Sequence, residues 1–312
     1  MSAQLEDHYR TIARYMRDGV VVPFLGAGVN MCGRTETETT ADRPPSGDEL
    51  AAHLARTCSY PESDDRNLVR VSQYMAVKED EASLYRELRK VFDRDYPPTP
   101  LHRFLAGLPA LMRAQPQPVY QMIVSTNYDD ALERAFADAG EEIDVVTYIA
   151  GGKDRGKLLH QRPDGEIVTV RTPNRYEGLS LEVRPVVVKI HGAVDRSDVE
   201  RDSYVITEDH YIDYLTRTEV KKLIPVNLSK VLHQSHFLFL GYSLRDWNLR
   251  VILHRIWGDQ HLEHRSFAVQ LDPDPIEVKS WAQRNVDILE LRLADYVAGL
   301  DAALRASAPA TP

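Results

Sequence analysis

Four short stretches of this chain carry residue types that can do chemistry, and each follows or ends an apolar run. Gly26-Ala27-Gly28 closes the run at 20–25, and Ser125-Thr126-Asn127-Tyr128-Asp129 follows the run at 119–124. Lys189-Ile190-His191-Gly192 ends the run at 185–190, and Gly241-Tyr242-Ser243-Leu244-Arg245-Asp246 follows the run at 236–240. In an open parallel sheet the ligand sits beyond the carboxyl ends of the strands, so polar signatures at several such ends predict one shared crevice.

Each stretch has a chemical reading beside a plainer one. Gly26 and Gly28 permit a tight bend and close approach of a phosphate to backbone N–H groups at a helix start. Met31 replaces the last glycine of the usual dinucleotide fingerprint, and Asp48 and Glu49, roughly twenty positions on, open a helix instead of ending a second strand. The turn can equally serve packing alone. Asn127 both donates and accepts, which suits holding a sugar hydroxyl and an attacking water together. Thr126, Asn127 and Asp129 are also ordinary helix caps. The His191 imidazole can take a proton from a hydroxyl or a water, and Gly192 leaves room for a substrate. Gly241 and Ser243 can cradle a ribose or phosphate, while Asp246 either caps the next helix or binds a hydroxyl.

Other chemistries lack their residues. Cys32 and Cys58 are the two cysteines, and His8, His53, His210, His233, His254, His261 and His264 show no ligand spacing, so no metal is expected. Neither a nucleophile-elbow serine nor a lysine-bearing phosphate loop is present. The formal net charge of −9, with basic and acidic residues interleaved, opposes direct nucleic-acid binding. No stretch has the uninterrupted apolar length of a membrane span, and the start lacks a secretory pattern, so the expected location is cytoplasmic.

These signatures need strands to carry them. With 43% hydrophobic and 27% charged residues, the chain can bury a large core. The runs at 20–25, 119–124, 143–149, 185–190, 236–240, 265–271 and 286–291 read as strands, several apolar throughout as buried parallel strands are. Helical patterns near 3–17, from 129, and at 208–215, 219–232, 244–257, 275–284 and 293–305 alternate with them. That alternation predicts an α/β fold, a doubly wound Rossmann-type parallel sheet with helices on both faces. Several consecutive helices in 46–115, the first capped at Ser46, read as a helical insertion. The segment 30–45 reads as a mobile loop, and 151–182 as a polar surface excursion with a hairpin at Asp164-Gly165. Residues 306–312 read as a disordered tail of a single domain spanning 1–312.

Taken in order, Gly26-Ala27-Gly28, Pro100-Leu101-His102 with Leu105 and Leu108, Thr126-Asn127-Tyr128-Asp129, His191-Gly192 and Gly241-Tyr242-Ser243 resemble the sirtuin family. Tyr128 after Asn127, and the segment 241–246, look most like its bacterial antiphage-defence branch. The resemblance implies NAD as the ligand and cleavage of its nicotinamide–ribose bond. Carried over, Gly26, Ala27 and Gly28 would hold the phosphates, with Thr126 beside them in the NAD site. Asn127 would orient ribose and water, and Asp129 would lie by the nicotinamide. His191 would be the base, and Gly241 with Ser243 would contact the adenosine side. The zinc-binding cysteines and the Phe-Arg pair of deacylating sirtuins are missing. The implied activity is therefore NAD hydrolysis to nicotinamide and ADP-ribose, used against phage, with protein deacylation or NAD and ADP-ribose sensing without turnover as alternatives. Control by assembly is expected, through homo-oligomerisation or a partner such as a HerA-type ATPase or an Argonaute-like sensor.

Overall fold

The computed structural model describes residues 3–35, 37–62, 65–217, 224–244, 253 and 264–306. Eleven strands are seen among them. They are β1 (Val21–Leu25), β2 (Met122–Ser125), β3 (Asp144–Tyr148), β4 (Leu158–Gln161), β5 (Ile167–Val170), β6 (Val186–Lys189), β7 (Gly192–Ala193), β8 (Ser203–Tyr204), β9 (His236–Leu240), β10 (Ser266–Gln270) and β11 (Val286–Glu290). The helices are α1 (Ala3–Arg17), α2 (Gly47–Thr57), α3 (Leu68–Lys78), α4 (Glu81–Phe92), α5 (Pro100–Arg113), α6 (Ala131–Asp138), α7 (Glu208–Arg217), α8 (Val226–Gln234), α9 (Pro275–Ala282) and α10 (Leu293–Ala306).

Nine strands form one sheet in the order β11-β10-β9-β1-β2-β6-β3-β4-β5, parallel from β11 through β3. Apolar residues on successive positions of one strand serve opposite faces, which is why these strands read as continuous hydrophobic runs. In β1, Val22 and Phe24 enter one core with Tyr211, Leu228 and Trp281 of α7, α8 and α9. Val21 and Leu25 enter the other with Ile12 of α1, Leu105 of α5, Phe136 of α6 and Leu300 of α10. The doubly wound fold expected from the alternation is thus present, with helices on both faces.

Three features refine that expectation. In the stretch 46–115, α2, α3 and α4 share a core of their own with Tyr128 and Tyr204, whereas α5 belongs to the layer on the sheet. The Ser46 cap is realised: its hydroxyl accepts from Glu49 N–H, and the Glu49 carboxylate accepts from Ser46 N–H at 2.8 Å. The hairpin at Asp164-Gly165 also exists, but its strands are no surface excursion. β4 pairs antiparallel with both β3 and β5 and extends the main sheet at its edge, because Leu158 and Val170 have apolar faces to bury. The segment 30–45 is anchored at both ends. Asn30 is buried in a short 3-10 turn, Ala27–Met31, and Arg43, 6% exposed, grips Glu49 with both guanidinium nitrogens.

Residues 219–223 of the helix expected at 219–232, most of the helix expected at 244–257, with Asp246, and the tail at 307–312 lie outside the described residues. Among the described residues no helix is long and apolar enough to cross a membrane.

Candidate functional site

The strand order β9-β1-β2-β6 sets the chemical signatures side by side. Leu25 is in register with Leu240 and with Ser125, and Ser125 with Lys189. Gly26, Gly241 and Thr126 therefore each follow a matched residue at the same carboxyl edge. Asn127 and His191 each stand two residues beyond the matched pair Ser125 and Lys189, on strands that neighbour at about 4.8 Å. The chains keep company past the strands, since Ile190 N–H donates to Ser125 O and Val194 N–H to Tyr128 O, both at 3.0 Å.

The glycine turns interlock. Gly26 N–H donates to Leu240 O at 3.0 Å and Gly28 N–H to Gly241 O at 2.8 Å. A Cβ on Gly28 would lie 2.7 Å from Gly241 O, and one on Gly241, whose φ is +65°, would lie 2.2 Å from Val29 N. Glycine is thus required by backbone-to-backbone packing, and the N–H groups of Gly26 and Gly28 are already committed. Thr126 leans back on β1, its hydroxyl donating to Leu25 O at 3.2 Å. Ser243 is exposed at the same edge.

Asn127 is held by the turns it faces. Its side-chain amide donates to Gly26 O at 3.3 Å, and its N–H donates to Ser125 Oγ at 3.1 Å. The buried Asp129 carboxylate has two partners: Oδ1 accepts from Ala131 N–H at 3.1 Å at the start of α6, and Oδ2 accepts from the Asn30 amide at 2.9 Å. Asp129 is thus not the cap of α6, whose N-cap is Asp130 with no side-chain cap bond; its carboxylate instead closes an i→i+2 turn leading into the helix. Asn30 Oδ1 is buried with no hydrogen-bond partner among the described residues.

Beneath this turn lies a small cavity of about 10 Å³, lined by residues that include His102, Ser125, Asn127, Asp129, Glu133 and Lys189. His102 Nδ1 accepts from Thr99 N–H at 3.2 Å, which leaves the ring proton on Nε2. Burial pushes its pKa down to about 4, against the opposing pull of the Asp129 charge. Lys189, 2% exposed, donates to Glu133 Oε1 at 2.8 Å and to the backbone oxygen of Asp129.

His191 is placed differently. Strand alternation would turn it to the same face as Lys189, but the chain turns at 190–191 and its ring meets Tyr211 and Tyr214 of α7 edge-on, at 5.5 and 6.2 Å between centroids. It does not line the cavity that Asn127 and Asp129 share. Its Nε2 has no hydrogen-bond partner among the described residues, and burial alone pushes its pKa down to about 3.

Asn30, Lys189 and the tyrosines of α7 are the site residues to which sequence reasoning gave no role. Lys189 had a signal, a charge ending an otherwise apolar strand. Asn30 had only its place two residues after Gly28, inside a polar segment.

The model of a SIR2-like domain matches residues 121–289, more than half of the chain. The chain belongs to the SIR2-like family. The matched stretch of this SIR2-like chain takes in Asn127, Asp129, His191, Gly241 and Ser243, while the turn at 26–28 precedes it. "Defense-associated sirtuin 2" of Bacillus subtilis is 25% identical over 275 residues, covering 86% of this chain and 22% of that protein. "NAD(+) hydrolase ThsA" of Acinetobacter baumannii (strain 532279) is 30% identical over 162 residues, covering 51% of this chain and 24% of that protein. The chain thus spans less than a quarter of the length of either relative. A solved structure described as "Structural Basis for the Mechanism and Regulation of Sir2 Enzymes" aligns with a TM-score of 0.46 at 12% identity, over 98% of both chains.

Proposed function

We propose that this SIR2-like chain hydrolyses NAD to nicotinamide and ADP-ribose and serves in defence against phage. The observation that carries the reading is that Asn127, bonded to the glycine turn at Gly26, and His191 both stand just past register-matched ends of adjacent parallel strands. One relative is named as an NAD(+) hydrolase and the other as a defense-associated sirtuin, which supports both halves of the reading. Buried polar atoms with no partner among the described residues, Asn30 Oδ1 and His191 Nε2, fit a polar ligand that brings a donor and either a donor or an acceptor.

Nicotinamide is a cationic leaving group in NAD, so its departure yields a neutral product and an oxocarbenium-like sugar. The protein must position a water, exclude bulk solvent and manage one proton. In this reading Asn127 orients the water and ribose, Asp129 meets the carboxamide, and neutral His191 accepts the proton. Gly26, Ala27, Gly28, Thr126, Gly241 and Ser243 line the path of the remaining dinucleotide. No step requires a metal or a hydride acceptor. A hydrolase of this kind would harm its own cell if always active, so assembly with further copies or a partner chain is proposed as its control.

The test is nicotinamide release from NAD by the purified chain, alone and with candidate partners. Asn127→Ala and His191→Ala should each lower turnover by about two to four orders of magnitude while leaving the chain folded. Retained turnover removes the substituted residue from the mechanism. A second reading, a sensor that binds NAD or ADP-ribose without turnover, draws support from the separation of His191 from the cavity at Asn127. Calorimetric binding with no nicotinamide formed selects it.

A further inference from the structure

Lys189 is the last residue of β6, two positions before His191, and its ammonium is withdrawn from solvent. It reaches across to the neighbouring strand end, donating to the backbone oxygen of Asp129 and to Glu133 Oε1 at 2.8 Å. A buried ion pair is a poor source of stability, because desolvating both charges offsets much of their attraction. Burial pushes the Glu133 carboxyl up, and its Oε2 has no hydrogen-bond partner among the described residues. Yet the pair spans the two segments whose relative placement the proposed chemistry needs: the turn 127–131 and the strand leading to His191.

Arg196, five residues past His191, pairs with the Asp130 carboxylate at 2.9 Å, and the remaining bonds on that turn act elsewhere. Asn30 holds the Asp129 carboxylate from the β1 side, Ala131 holds it within α6, and the Asn127 amide rests on Gly26. Backbone bonds from Ile190 and Val194 keep the chains parallel without reaching Asp129. From the end of β6, the Lys189 side chain reaches the backbone of the Asp129 turn.

We infer that Lys189 is a positioning residue, clamping the Asn127–Asp129 turn at a fixed distance from His191 through its bond to the Asp129 carbonyl. The inference rests on the reading of Asn127 and His191 as acting on one NAD molecule. Glu133 accompanies it as a second acceptor for the ammonium.

Lys189→Met alone would leave Glu133 buried without its counter-charge and risks the fold, so the informative variant replaces both charges, Lys189→Met with Glu133→Met. An apolar pair of similar volume is expected to preserve the melting transition. Its kcat for nicotinamide release should fall about 100-fold with KM within about twofold of wild type, as for a misplacement on the order of 1 Å. Glu133→Gln keeps an acceptor for Nζ and leaves the clamp on Asp129, and should hold kcat within about threefold. Hydrogen exchange of amides 127–131 should quicken about tenfold in the double variant and stay unchanged in Glu133→Gln.

An unaltered kcat in the double variant overturns the inference, as does a Glu133→Gln loss equal to that of the double. A double variant melting well below wild type would mean that Lys189 holds the fold and not the geometry, and that too overturns it. Wild-type protein that releases no nicotinamide defeats the hydrolase reading instead, and the exchange comparison then decides for Lys189.

Discussion

Because burial alone pushes the His191 imidazole down to about 3, the ring is neutral throughout the physiological range. For the free enzyme this fixes an expectation for rate against pH. An ordinary surface histidine would give kcat/KM an acid limb near 6.5, whereas His191 should allow kcat/KM to hold down to about pH 4 before falling. A wild-type limb centred near 6.5 would show the ring to be hydrated in solution. The residues that made such readings possible are those set directly after apolar runs: Asn127 and His191 had to emerge where a strand ends. Asn30 was hidden because a polar residue in a polar segment carries no such mark. The partners of Lys189 were hidden for another reason, since Glu133 stands 56 residues earlier in the chain and only the pairing of β2 with β6 brings them together.

At the level of elements, strands β9 and β1 pair along five matched positions and then hand over to turns that touch backbone to backbone. Gly241→Ala combines a left-handed backbone with a contact of 2.2 Å to Val29 N, so it should cost roughly 2 kcal/mol or more and lower the melting temperature by several degrees. A variant melting with wild type would mean that the two turns separate freely. The buried parallel strands and the helices were legible as elements because their periods differ, two-sided apolar runs against 3.6-residue spacing. What periodicity could not convey was allegiance. α5 looks like the other helices of its region but lies on the sheet, and the short strands β4 and β5 look like loop decoration but complete its edge.

For the molecule as a whole, the buried His102 and His191 act together with the half-buried His8. Burial pushes His8 and His102 down to about 4 and His191 to about 3. In the unfolded chain each titrates near 6.5, so below that pH the unfolded state binds protons that the folded state refuses, and stability falls as pH falls. The loss should begin near pH 6.5 and deepen toward pH 4, reaching on the order of several kcal/mol if all three rings keep their places in the fold. Urea midpoints at pH 7.5, 6.0 and 5.0 measure it, and equal midpoints would contradict the burial of these rings. The acidic net charge works the other way, its self-repulsion easing as carboxylates gain protons, so the histidine effect should be clearest above pH 5.

The meeting of the turns at Gly28 and Gly241 has a consequence for how this chain can change. What a methyl at Gly28 would strike is the carbonyl and Cα of Gly241, atoms common to every amino acid, so no neighbour can be trimmed to make way. Second-site revertants of a Gly28→Ala lesion should therefore be scarce, with true reversion to glycine dominating any selection for restored folding, although the two turns are encoded some two hundred codons apart.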